Sequence, residues 1–187
     1  MELIKIYFQY LKDPSAALKN LLEKRSMWYA VMGYFAATLG WVLFFNIGDH
    51  LALPVLMLKI FVVFLAELTV GYFISSLSGL YLDFCRAKTS PAELFMLIGS
   101  AGFIKGLLIA FSLVSATVPW AQLGLFAPVA LLFVFLLQLL YLTRALSRVY
   151  GLSFWHALGA WLFGFVPVCL AGVLTFLFLI WGLSLLS

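Results

Sequence analysis

The sequence predicts an all-α, polytopic integral membrane protein, with five transmembrane helices in a bundle and an amphipathic N-terminal arm. Three observations carry this reading. First, 66% of the 187 residues are hydrophobic and 10% are charged, against about 25% charged in ordinary soluble domains. A soluble fold of this length has no means of hiding so much apolar surface. Second, the apolar residues fall into five runs, each long enough to meet the roughly 20 residues that a span requires. Third, the basic residues are one-sided. Segments 1–27, 83–93 and 143–156 carry five, two and two Lys or Arg, whereas the connections at 48–53 and 118–122 and the C-terminus carry none. By the positive-inside rule the N-terminus is expected in the cytoplasm and the C-terminus on the far side. The net charge of +4 then belongs to headgroup contact and not to nucleic acid.

The arm, residues 1–27, reads as two short helices. Leu3, Ile4, Tyr7, Phe8 and Leu11 share one helical face, with Lys5, Gln9 and Lys12 opposite. Asp13-Pro14 supplies an N-cap followed by proline at the first helical position. In the next helix Ala17, Leu18, Leu21 and Leu22 face away from Lys19, Glu23 and Lys24. Such a basic amphipathic arm suits the headgroup layer or the ends of the spans. Lys5, Lys12, Lys19, Lys24 and Arg25, with Arg144 and Arg148, are the expected headgroup contacts.

The transmembrane domain, residues 28–187, divides into spans at about 28–48, 51–82, 94–117, 123–143 and 157–183. Gly48-Asp49-His50 reads as a tight turn. The second run, at 1.5 Å per residue, is roughly 45 Å long and must tilt or project beyond a core of about 30 Å. Ser90-Pro91 restarts a helix after the polar loop DFCRAKTSPAE. Pro119-Trp120 ends the third span, and Pro167 is a candidate kink in the fifth. Trp28, Trp120 and Trp155 fall at predicted interfaces.

Two charges fall deep inside these runs. Glu67 has no other charged residue within seven positions on either side. It precedes the 83–91 loop by about 15 residues, and Lys105 follows the loop by about 14, so both sit about 20 Å from it. An isolated charge at that depth costs about 3 kcal/mol or more, and a partner lowers the cost. Glu67 is therefore expected to meet Lys105, or a cavity that both line. Lys59, near its span end, can snorkel to headgroups. Glu67, Gly71, Ser75 and Gly79 recur every fourth residue, and Gly102, Gly106 and Ala110 form a similar stripe beside Lys105. Small residues at this spacing let helices approach closely in lipid, so the two stripes are expected to face each other. The pair reads first as a salt bridge fixing a hairpin and second as part of a proton or ion path, which Gln138 and Ser112 would extend.

Signatures of an enzyme are thin. His50 and His156 fall on opposite sides of the membrane. Cys85 has Arg86 and Lys88 beside it but no histidine to act as its base. Cys169 lies in an apolar run, so no disulfide joins the two. GSAGF and SSLSG lie within helices and not on the strand-to-helix turn of a nucleophile elbow. No metal or cofactor is expected.

KDPSAALKNLLEKRSMW before the first span, GYFISSLSGLYLDF through TSPAELFMLIGSAGFIKGLL, and RALSRVYGLSFWHALGAW together resemble the Yip (Ypt/Rab-interacting protein) family, in particular its small bacterial-type members. The likeness is of pattern and covers most of the chain. Where eukaryotic members carry Asp-Leu-Tyr-Gly-Pro and Gly-Tyr-Ser, this chain has DPSAAL and GSAGF. The resemblance implies five spans, binding of prenylated Rab GTPases and membrane shaping in vesicle traffic. It implies no catalytic residue. The expected function is a non-enzymatic membrane scaffold or partner-binding subunit, whose partners are the lipid bilayer and another membrane protein or a second copy. A small transporter or ion-conducting subunit using Glu67 and Lys105 is the alternative.

Overall fold

A computed structural model describes residues 27–46, 52–87, 89–117 and 125–184. The predicted arm, with Lys5, Lys12, Lys19, Lys24 and Arg25, lies outside these residues, as do the turns at 48–50 and 118–122. The described chain is all-helical: α1 (Met27–Asn46), α2 (Leu53–Phe84), α3 (Pro91–Lys105), α4 (Leu107–Thr117), α5 (Phe126–Tyr150) and α6 (Phe154–Ser184). With α3 and α4 taken together, five helices among the described residues are long and apolar enough to cross a membrane. The molecule is a helical bundle whose composition fits an integral membrane protein.

Helix ends follow local chemistry. Ser90, in extended conformation, precedes Pro91 at the start of α3, where the missing proline N–H would have been unpaired in any case. At the end of α2, Arg86 takes a left-handed φ of 59°. Its N–H donates to the Asp83 carbonyl, and the Ala87 N–H reaches back to the Leu82 carbonyl at 3.0 Å, closing the last turn in the Schellman manner. The predicted basic loop at 143–156 is largely helix: α5 continues to Tyr150, carrying Arg144 and Arg148 as exposed residues of one helical face. It stops because Gly151 adopts φ 64° and lets the Leu152 N–H donate to the Ser147 carbonyl. Ser153 then receives the His156 N–H on its Oγ and opens α6. Pro167 lies inside α6, which continues unbroken past it.

Gly106 interrupts the third span. Its N–H bonds the Phe103 carbonyl, and the Ile109 N–H bonds the Gly106 carbonyl. These three-residue closures make one tightened turn between α3 and α4.

The centre of the bundle is α3, on which Leu94, Leu97, Ala101 and Ile104 are at most 1% exposed. It packs against α1, α2 and α5, and the most extensive pairing of all is α1 with α3. Those two run parallel, and their backbones nearly touch. A Cβ on Gly33 would collide with the Gly99 carbonyl, one on Gly102 with the Gly33 carbonyl, and one on Gly40 with the Lys105 carbonyl. In lipid, where apolar burial between helices gains nothing over the solvent, such close packing is what holds helices together. It also places Cα–H groups against carbonyl oxygens.

The predicted stripes therefore do not face each other as pairs. Gly102 packs on Gly33 of α1, and Gly106 lies beside Ala36 of the same helix. Ala110 is exposed. Gly71 receives the Tyr34 ring of α1, whereas Gly79 meets α3 at Leu94 and Pro91 and Glu67 meets it at Lys105. Ser75 is buried with its hydroxyl on the Tyr72 carbonyl. The reason is the small face of α1: Ala30, Gly33, Ala37 and Gly40 give α3 a closer seat than α2 can, because α2 carries the larger Glu67 and Ile74 toward the same space.

Two apolar clusters result. One joins α1, α2, α3, α5 and α6 near the 85–90 and 151–153 turns, the basic end of the bundle, and includes Leu82, Leu146 and Trp161. The other joins α1, α3, α4 and α5 toward the opposite end, around Phe44, Leu108 and Val134. Neither α2 nor α6 enters the second cluster.

Candidate functional site

Glu67 and Lys105 meet where the two clusters adjoin. The Lys105 Nζ donates to both carboxylate oxygens of Glu67, at 2.9 Å each. The side chains are 19% and 13% exposed for Lys105 and Glu67, so water screens the contact little, and ammonium and carboxylate supply most of each other's solvation. The Lys105 ammonium also lies 5.8 Å from the centre of the Trp41 ring, within cation–π range. Local structure sets this geometry. Lys105 is the last residue of α3 before the tightened turn at Gly106, and its carbonyl is gripped by Gly40. The position of its Cα is thus fixed by α1 while its side chain crosses to α2.

Lys59 bonds Asn46, its Nζ donating to the amide oxygen, while the Asn46 amide donates to the Val42 carbonyl at 2.7 Å. This polar contact ties the start of α2 to the end of α1. Sequence reading paired Lys59 with headgroups and passed over Asn46, the one strongly polar residue late in the first span.

The charge pair forms part of the wall of a cavity of about 210 Å³ between α2, α3, α5 and α6, to which α1 adds Trp41 and α4 adds Leu108. Trp41, Phe135, Trp161 and Phe165 give it an aromatic lining, and Gln138 adds an amide. Trp161 and Phe165 stack at 4.5 Å, with Phe135 5.7 and 5.5 Å from them. Of the lining side chains, Glu67 and Lys105 are the ones that carry charge. Ser112, considered above as an extension of a polar path, bonds its own helix at the Ile109 carbonyl and does not line the cavity. Gln138 does. The aromatic wall from α5 and α6 was not foreseen. Its only signal was WLFGF at 161–165, which places Trp161 and Phe165 one helical turn apart.

His156 bonds Ser153 at 2.6 Å at the start of α6, away from the cavity. Cys85 and Cys169 are free thiols. Among the described residues, no three His, Cys, Asp or Glu side chains gather as a metal site would require.

Fold and site together define a class: a helical bundle with, among the described residues, five helices long and apolar enough to cross a membrane, and an interior ion pair beside an aromatic cavity. Comparison with protein-family models, curated proteins and solved structures finds no match.

Proposed function

We propose that this is a non-enzymatic integral-membrane scaffold or partner-binding subunit, in the manner of the Yip family that its sequence resembles, with its N-terminus cytoplasmic in a bacterial inner membrane. One observation carries the reading: Glu67 and Lys105 satisfy each other. Both carboxylate oxygens accept from one ammonium, and the contact ties α2 to α3. A pair closed in this way fixes the register of two helices and leaves no lone proton acceptor at depth. The exposed apolar flanks of α2 and α6 are then available to lipid, to another membrane protein or to a second copy. The test is gentle extraction into nanodiscs followed by mass spectrometry. The expected result is a protein partner or a second copy at fixed stoichiometry, retained when Glu67→Gln is combined with Lys105→Met.

A second reading, a small transporter or ion-conducting subunit, is favoured by the cavity next to the pair. It predicts that the same double variant folds and loses flux in proteoliposomes. Flux that depends on the pair would overturn the scaffold reading.

A further inference from the structure

The cavity has a chemistry of its own, separate from the part the ion pair plays in holding α2 to α3. Its volume of about 210 Å³ is room for roughly seven water molecules at 30 Å³ each. Most of its wall is apolar or aromatic, and a few polar groups converge on it, which is the make-up of a small-molecule site. Three features narrow the occupant. The charge on the wall sums to zero, because Glu67 and Lys105 cancel, so an ionic ligand would find no counter-charge. Hydrogen-bonding capacity remains: Lys105 has three N–H donors and uses two on Glu67, and the Gln138 amide has no hydrogen-bond partner among the described residues. The stacked faces of Trp161 and Phe165, with Phe135 against them, favour a flat ring.

Access is from the apolar flank. Val70 lines the cavity and is 39% exposed. Trp161 and Phe165 are the α6 contributions to the wall, and beyond them Val166, Leu170, Val173 and Leu174 are exposed. At Val70 the cavity wall therefore reaches the exposed apolar flank of α2. We propose that the cavity binds a neutral, lipid-soluble molecule whose compact ring bears carbonyl or hydroxyl groups, with those groups on Gln138 and Lys105 and the ring against Trp161.

The experiment uses the full chain in nanodiscs, titrated with a decyl-substituted benzoquinone while tryptophan emission is followed. Saturable quenching is expected, with apparent affinity at least tenfold weaker in Gln138→Leu. Leu131→Phe, which narrows the cavity from its half-buried wall, is expected to abolish the saturable phase. Both variants are first checked for unchanged elution and helical circular dichroism. Should either fail that check, competition on the unaltered protein decides. A neutral decyl-substituted hydroquinone must displace the probe at tenfold lower concentration than decyl sulfate or decyltrimethylammonium. Linear quenching that is the same in all variants, which is what partition into the bilayer gives, overturns the proposal. So does displacement by either ion at equal concentration.

Discussion

At the basic end of the bundle, α2 and α6 are packed into the interior, and Leu82, Ala157 and Ala160 are wholly buried. At the opposite end the same two helices leave it: Leu58 of α2 is 62% exposed and Phe176 of α6 is 63% exposed. Both ends are rich in leucine and phenylalanine, so hydrophobicity does not separate them. Shape does. The buried part of α6 carries Gly159 and Gly164, which seat Tyr81 and Ser78 of α2, whereas Gly172 has no neighbouring atom within 4 Å of where a Cβ would stand. When the solvent is lipid, the helix surface that packs is the one a neighbour can approach. The ion pair and the cavity lie at the seam between the two regimes.

The largest effect is expected at that seam. Lys105→Met alone strands Glu67 in an apolar setting and should destabilise the protein by about 3 kcal/mol. The combination with Glu67→Gln should recover most of that loss. Reversible unfolding in mixed micelles, run on both single variants and the double, measures the coupling. A double variant that loses as much as the two single variants combined would mean that the pair contributes no coupling and that the packed half alone holds α2 in place.

Next comes the packed half itself. Gly33→Ala drives a methyl group into the Gly99 carbonyl, and since both partners are backbone, neither can rotate away. A loss of about 2 kcal/mol is expected in the same assay. Leu174→Ala, on the free half of α6, should change stability by less than about 0.5 kcal/mol. If the two losses are alike, the exposed half of α6 has a packing partner of its own.

Much of this contrast was legible in the sequence, for a physical reason. Span count follows from run length, which a bilayer imposes. The meeting of Glu67 and Lys105 followed from equal distance to one loop, because a hairpin preserves depth. Rotation of a helix about its axis was harder to read. The glycines of α3 were recognised as a packing face, yet Gly33 and Gly40 of α1 present a flatter surface than α2 and won the contact. Their seven-residue spacing, repeated by Ala30 and Ala37, was the available signal. The expected fourth span stops short of the end of α5 because TRALSRVY is polar enough to pass for a loop, although it holds no residue that stops a helix before Gly151.

The two turns at the basic end give smaller effects of opposite sign. Gly151 has φ 64°, so Gly151→Ala should cost about 1 kcal/mol. Arg86 holds a similar conformation at φ 59° without being glycine, so Arg86→Gly should stabilise by up to about 1 kcal/mol. Both are read as shifts in the unfolding midpoint. The same sign in both variants would show that side-chain contacts of Arg86 outweigh its backbone strain.

A last comparison isolates packing from helix propensity, because it places one substitution at two points on one helix. Gly164→Ala puts a methyl group against the Ser78 hydroxyl and 2.6 Å from the Ile74 carbonyl, and a loss of about 1–2 kcal/mol is expected. Eight residues on, Gly172→Ala meets nothing within 4 Å. The backbone constraint gained by adding a methyl group is the same at both sites, at most about 1 kcal/mol in favour of alanine. Gly172→Ala should therefore be neutral or slightly stabilising, and the difference between the variants is the packing of α6 on α2. A clear loss at Gly172 would mean that another molecule approaches the free half of α6 closely. In that case the loss should appear only in preparations that retain that molecule, and it should vanish when the purified chain is studied alone.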